Sequence, residues 1–297
     1  MDVGKLFKGI AVIIDDEIKT EGSSISIIKD IIENKNIPVA AYDEIPNKDV
    51  IPAFGSASFV ILDWDYTNND LSVQGEDRVM VPATLAETQE SDLIGFIKSL
   101  IETVFIPVFI FTFKNPESVK EKLSEANLWS SDRPNRIFVK QKNEVSSDAE
   151  LFSAIEDWLK AMPSVYVLKE WENILSTTKN SMFLEMYKYS PNWTKIIWDM
   201  LKEDSRENHR EFGDFVTRNL LNRIDGYTFD DTVIDTEQEI TKDELSKVVE
   251  GERFVSYDSQ PQQAYTGDLF LVDGTYFLNI RAQCDLARKS NPEHYLI

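Results

Sequence analysis

Cysteine and histidine are nearly absent from this chain, and each scarcity removes a class of explanation. The single cysteine, Cys284, excludes an internal disulfide, and with only two histidines, His209 and His294, no Cys- or His-rich zinc set can be assembled. Positive charge is also short, since 31 Lys and Arg face 52 Asp and Glu for a net charge of −21. A chain this acidic repels nucleic acid and anionic membrane, so neither is expected as a partner. No apolar run approaches the roughly 20 residues that span a bilayer, and Met-Asp-Val-Gly-Lys at the start lacks the basic-then-apolar pattern of a signal sequence. The expectation is a cytoplasmic protein. There is also no GxGxxG, no P-loop and no helix-turn-helix with a basic recognition helix.

What is present is a set of short apolar runs that end in polar residues. Asp15 and Asp16 follow Ala-Val-Ile-Ile, Asp63 follows Phe-Val-Ile-Leu, Thr112 follows Phe-Ile-Phe, and Lys140 follows Ile-Phe-Val. Buried parallel strands read as continuous apolar runs, and their C-terminal ends line the ligand crevice of an open α/β sheet. Helical patterns separate the runs: Ile25, Ile28 and Ile32 share one face, Leu93, Ile97 and Leu100 another, and Pro116 suits the first turn of a helix reaching Asn127. With Val39 to Tyr42 as a further short strand, the first half reads as a doubly wound α/β domain closed by a helix over 148–161. A polar, turn-rich stretch at about 65–90 breaks the rhythm and reads as a long loop or insertion.

With 297 residues the chain exceeds a typical single core. We expect a first domain over 1–163 ending at Pro163, a helical domain over 164–250, and a small β unit over 251–297. The helical part is rich in aromatics, including Trp171, Phe183, Tyr187, Trp193, Trp198 and Phe212, which fit a bundle core better than a base-stacking site. Arg206, Arg210, Arg218 and Arg223 alternate with Glu203, Glu207, Glu211 and Asp214, as on a solvated helix face. Asp230 to Glu250 is acidic and weakly apolar, a surface helix or linker. In the last part, Asp273-Gly274 between β-rich runs predicts a type I′ hairpin. Cys284 has no histidine near it in sequence and reads as structural, and His209 and His294 are unpersuasive as ligands.

Gathered at one crevice, Asp15, Asp16 and Asp63 would repel one another unless protons or a hard cation neutralise them, and Mg²⁺ suits such a set. Asp63 would then be a carboxylate nucleophile, with Lys140 contacting the phosphoryl group and Thr112 bonding its oxygen. Lys114 is a second candidate for the basic role. These residues, in this order, resemble the receiver domain of two-component response regulators over residues 8 to 161.

The resemblance implies a flavodoxin-like, five-stranded parallel sheet in the order 2-1-3-4-5. It also implies metal binding by Asp15 and Asp16 with Asp63, phosphorylation of Asp63, and switch roles for Thr112 and Lys140. The implied partners are a histidine kinase or other phosphodonor and a protein output partner, with room for a homodimer. The chain would thus be a stoichiometric phosphoacceptor in signal transduction rather than a turnover enzyme. It departs from the family in the long interval between Asp63 and Thr112 and in Gln141, which follows Lys140 where proline is usual. Two alternatives stay open: an unphosphorylated scaffold or assembly module, as in a defence or stress system, and a Mg²⁺-dependent phosphatase of the aspartyl-phosphate type. The latter wants a second acid two residues after the nucleophile, which Asp65 supplies.

Overall fold

Alternation along four apolar strands divides the core in two. The computed structural model describes residues 3–65, 83–145, 147–204, 208–224, 229–236, 239–253 and 266–280. Strands β1 (Ala11–Ile14), β2 (Val39–Tyr42), β3 (Val60–Asp63), β4 (Val108–Thr112) and β5 (Ile137–Gln141) form a five-stranded sheet in the order β2-β1-β3-β4-β5. Every pairing is parallel, with Val12 opposite Val60, Leu62 opposite Ile110 and Thr112 opposite Gln141. Side chains of a strand point alternately to opposite faces. Ile13, Ile61, Phe109 and Phe111 therefore enter one buried cluster, while Val12, Ile14, Val60, Leu62, Val108 and Ile110 enter the other.

Helices cover both faces, as a parallel sheet requires. On the first lie α1 (Val3–Leu6), α2 (Ser24–Glu33) and α5 (Asp148–Lys160), contributing Leu6, Ile25, Ile28, Ile32, Leu151, Ile155 and Leu159. On the second lie a 3-10 segment (Lys48–Ser56), α3 (Ala83–Thr103) and α4 (Pro116–Glu125), contributing Phe54, Leu93, Phe96, Ile97, Leu100, Val119 and Leu123. Phe109 is the hub of the first face: Phe7, Phe59, Phe138 and Trp158 all meet it edge-on or nearly so, at centroid distances of 5.2–6.2 Å. Helix ends are set locally. Ser23 and Asn115 cap α2 and α4, Ser147 and Glu150 form a capping box on α5, and Arg136 donates to the carbonyls of Ile101 in the last turn of α3 and of Val104 just after it.

The boundaries differ from the sequence expectation in two places. Helix α3 begins at Ala83, inside the stretch read as a loop; the remainder of that stretch, 66–82, lies outside the described residues. Pro163 occupies the first turn of α6 (Pro163–Tyr189) instead of marking a break. Val165 and Tyr166 of that helix are buried in the first-face cluster, and its Lys169 is buried beside Glu172 at 2.8 Å. After α7 (Trp193–Asp204) and α8 (Asn208–Leu221), α9 (Asp231–Ile234) returns to this cluster through Val233, and the Tyr166 hydroxyl accepts from the Asp230 backbone N–H at 2.8 Å.

The chain accordingly divides into two units, Met1–Thr236 and Glu237–Ile297. Trp193, Trp198, Phe183 and Phe212 pack against one another within the first unit, with His209 edge-on to Trp198 at 4.9 Å. The second holds α10 (Lys242–Arg253) and an antiparallel hairpin of β6 (Leu269–Val272) and β7 (Thr275–Leu278). Both turn residues have positive φ, 50° at Asp273 and 79° at Gly274, as a type I′ turn demands.

Because Phe109 touches the rings of Phe7 just after α1, Phe59 just before β3, Phe138 of β5 and Trp158 of α5, Phe109→Ala should lower stability by about 3–5 kcal/mol. Denaturant unfolding checks this; a loss below about 1 kcal/mol would mean that the aromatic cluster is not the packing centre of that face.

Candidate functional site

The parallel order brings β1 and β3 side by side, so residues that follow their C-terminal ends share one edge of the sheet. Asp15 comes directly after β1 and Asp63 ends β3; both are buried. Asp16, half-buried, sits beside them, and one carboxylate oxygen from each of Asp15, Asp16 and Asp63 falls within 4.8 Å of the others. Thr112, fully buried, ends β4 one strand further along. The structure thus brings together four of the residues singled out from sequence.

Lys140 is not among them. It stands within β5 opposite Phe111, and its ammonium pairs with Glu144 at 2.8 Å on the surface. The lysine of the crevice is Lys142, in the 3-10 turn that follows the strand. Its Nζ lies 3.1 Å from Asp15 Oδ2 and 3.1 Å from Asp63 Oδ2, and its side chain is 1% exposed. The physical reason is register. Thr112 pairs with Gln141, so the strand runs past Lys140 and the next residue beyond the sheet edge is Lys142. Lys114 donates its backbone N–H to Thr112 Oγ1 at 3.0 Å. Among the remaining candidates, Cys284 and His294 lie outside the described residues.

The remaining hydrogen bonds orient the group. Asp15 Oδ1 accepts from the Glu17 N–H at 2.8 Å, and Asp63 Oδ1 accepts from the Asp65 N–H at 2.8 Å. Each buried carboxylate thus holds one backbone donor and one edge of the Lys142 ammonium. Asp65 turns its own carboxylate the other way: Oδ1 accepts from Thr112 Oγ1 at 3.1 Å, and Oδ2 accepts from the Phe113 N–H. The Phe113 ring lies over the Lys142 ammonium, 5.0 Å from Nζ to the ring centre.

Three ionised carboxylates facing one ammonium leave two negative charges unmatched. Burial, reinforced by the neighbouring Asp15 and opposed by Lys142, pushes the Asp63 carboxyl up to about 7. Burial and Asp15 raise Asp16 as well. For Lys142, burial acts to lower the pKa, but Asp63 and Asp15 together outweigh it and hold the ammonium above its usual value. A hard divalent cation matches both the excess charge and the all-oxygen donor set, so Asp15, Asp16 and Asp63 fit such an ion.

No protein-family model and no curated protein matches the chain. Among solved structures, one similar chain is a fusion carrying the trimeric coiled coil of yeast Spc42. It is 11% identical, the match covers 61% of this chain and 98% of that one, and the TM-score is 0.32. A likeness that slight carries no argument about this site.

The raised Asp63 pKa has a testable sign. The folded protein holds that proton more tightly than the unfolded chain, so the Asp63 contribution to native stability in the absence of divalent cations falls as pH rises between about 4 and about 7. Asp63→Asn should remove that dependence and be more stable than the native protein by about 1–3 kcal/mol above pH 7, the gap closing on acidification. Urea midpoints across pH check it, and a pH-independent gap would contradict it. Lys142→Ala strands two buried carboxylates and should cost about 3–5 kcal/mol at neutral pH, whereas Lys140→Ala should be nearly neutral in the same titrations.

Proposed function

We propose that the first unit is a receiver-type phosphoacceptor, with Asp63 as the residue that takes the phosphoryl group and Lys142, rather than Lys140, as the ammonium that contacts it. The observation that carries this reading is the Lys142 ammonium bridging Asp15 and Asp63 at the C-terminal edge of a 2-1-3-4-5 parallel sheet. Ligands bind at that edge in open α/β sheets, and the crevice holds the groups an in-line phosphoryl transfer needs.

In the proposed step an ionised Asp63 oxygen attacks the phosphorus of a small phosphodonor or of a phosphohistidine. The bond from phosphorus to the donor's oxygen or nitrogen breaks, and that atom leaves with the bonding electron pair and picks up a proton if its basicity requires one. The product is an acyl phosphate on Asp63. Asp15 and Asp16, with Asp63, would hold a Mg²⁺ ion, which supplies charge neutralisation and alignment of phosphoryl oxygens. Asp63 must give up its proton to act, and burial, with the neighbouring Asp15 charge adding to it, is what opposes this. Lys142 stabilises the charge that builds on the transferring oxygens and, tethered also to Asp15, is held in place for it. Thr112, buried at the end of β4, is the hydroxyl able to bond a phosphoryl oxygen, and its position at the start of the β4–α4 loop couples that bond to the outer surface. The output is a protein partner, and the strongly acidic chain favours a basic docking face on it.

A constitutive binding module is the second reading, favoured by two contacts: the Thr112 hydroxyl and the Phe113 N–H are already engaged by Asp65. A phosphatase is less favoured, because that chemistry needs Asp65 as an acid beside the phosphoryl group, whereas in the unphosphorylated chain its carboxylate faces Thr112 and Phe113.

Intact-mass measurement after incubation with phosphoramidate, with and without Mg²⁺, tests the proposal. A single Mg²⁺-dependent phosphoryl adduct is expected on the native chain and on Lys140→Ala, absent in Asp63→Asn and at least about tenfold slower to form in Lys142→Ala. No adduct on the native chain would favour the constitutive module, and steady release of phosphate would favour the phosphatase.

A further inference from the structure

Asp65 ties the two ends of the site together. Its backbone N–H is donated to Asp63 Oδ1, and its carboxylate accepts from Thr112 Oγ1 and from the Phe113 N–H. Each of these donors has a single proton to give. A serine or threonine hydroxyl carries one O–H, and a backbone amide one N–H. The Thr112 oxygen accepts at the same time from the Lys114 N–H, which fixes the direction in which its own proton points. While Asp65 is in place, the hydroxyl and the amide at the head of the β4–α4 loop are therefore spent on a carboxylate of this chain.

We propose that Asp65 is an internal latch, an anionic side chain that occupies the Thr112 and Phe113 donors in the unphosphorylated state and is displaced when a phosphoryl group arrives on Asp63. The inference rests on the phosphoacceptor reading above and adds to it the regulation of that site. Three observations give the latch its mechanism. Asp65 is two residues from Asp63, its N–H is bonded to Asp63 Oδ1 and its carboxylate already repels charge there, so the additional negative charge of an acyl phosphate acts on it directly. Its carboxylate stands outside the acidic trio, so cation binding does not neutralise it directly. The residue whose backbone it holds, Phe113, is 54% exposed while its ring covers the buried Lys142 ammonium. Release of Asp65 thus frees the Thr112 proton for a phosphoryl oxygen, and it loosens an aromatic residue at the mouth of the crevice where a protein partner would meet it. Asp65 is a positioning residue in this scheme, acting through Thr112 and Phe113.

The test compares the native chain with Asp65→Ala and Asp65→Asn, each with Mg²⁺. Two quantities are read: hydrogen exchange of the Phe113 amide by NMR, and the rate of phosphoryl adduct formation from phosphoramidate by intact mass. The latch predicts that Asp65→Ala exchanges the Phe113 amide faster and forms the adduct at least about tenfold faster than the native chain at unchanged Mg²⁺ affinity, with Asp65→Asn intermediate in both. Equal adduct rates in native chain and variants would overturn the latch and leave the phosphoacceptor reading standing. A slower adduct with weakened Mg²⁺ binding would also overturn it, by making Asp65 a cation ligand. No adduct in any of the three chains would overturn the phosphoacceptor reading and the latch together, whatever the Phe113 amide does.

Discussion

A buried ammonium shared by two buried carboxylates is the constraint around which this crevice is built. Lys142 meets Asp15 and Asp63 at 3.1 Å each, and all three side chains are almost wholly withdrawn from water. Such a group is stable only while every member keeps its partner, because an unpaired charge in that position costs several kcal/mol. The pairing also fixes geometry, since it pins the turn after β5 against the ends of β1 and β3. It leaves an imbalance as well: with Asp16 alongside, negative charge exceeds positive, and burial answers by raising Asp63 toward neutrality. A proton answers that imbalance in part, and the three carboxylates are placed so that a cation could answer it too.

Asp65 extends this network sideways. Through its backbone it completes the hydrogen bonds of Asp63, and through its carboxylate it reaches the end of β4. Charge at the centre and backbone position at the rim are therefore joined by one residue, which is how a local electrostatic event can change a surface. On the opposite side of the same unit, the first turns of α6 seat Val165 and Tyr166 against the sheet-covering cluster, and α9 packs there too. Helices α6 and α9, which follow the sheet, thus share its core.

Much of this was legible in the sequence, and the misses have physical causes. The strands could be read because buried parallel strands show as apolar runs, and Asp15, Asp63 and Thr112 could be placed because each closes such a run. Lys140 could not be told from Lys142 by that rule. Lys140 follows Val139 directly, yet strand pairing carries β5 on to Gln141, and which of two nearby lysines turns inward depends on register with β4. The pairing of Thr112 with Gln141 was the missing signal. Helix α3 was foreshortened because its first turns, Ala-Thr-Leu-Ala-Glu-Thr-Gln-Glu, carry few apolar residues and so show little helical stripe. Pro163 was ambiguous by nature, since proline suits both a domain break and the first turn of a helix. The hairpin turn was secure because Asp-Gly accepts positive φ at both positions.

The most direct measurement is titration of the native chain and of Asp16→Ala with Mn²⁺, followed by electron paramagnetic resonance of the free ion and with Mg²⁺ as competitor. One Mn²⁺ per native chain, displaced by Mg²⁺ and lost or weakened at least about tenfold in Asp16→Ala, is the result predicted by a crevice whose carboxylates outnumber its ammonium. A native chain that binds no cation at neutral pH would contradict it, and would mean that Lys142 and the Asp63 proton already complete the site.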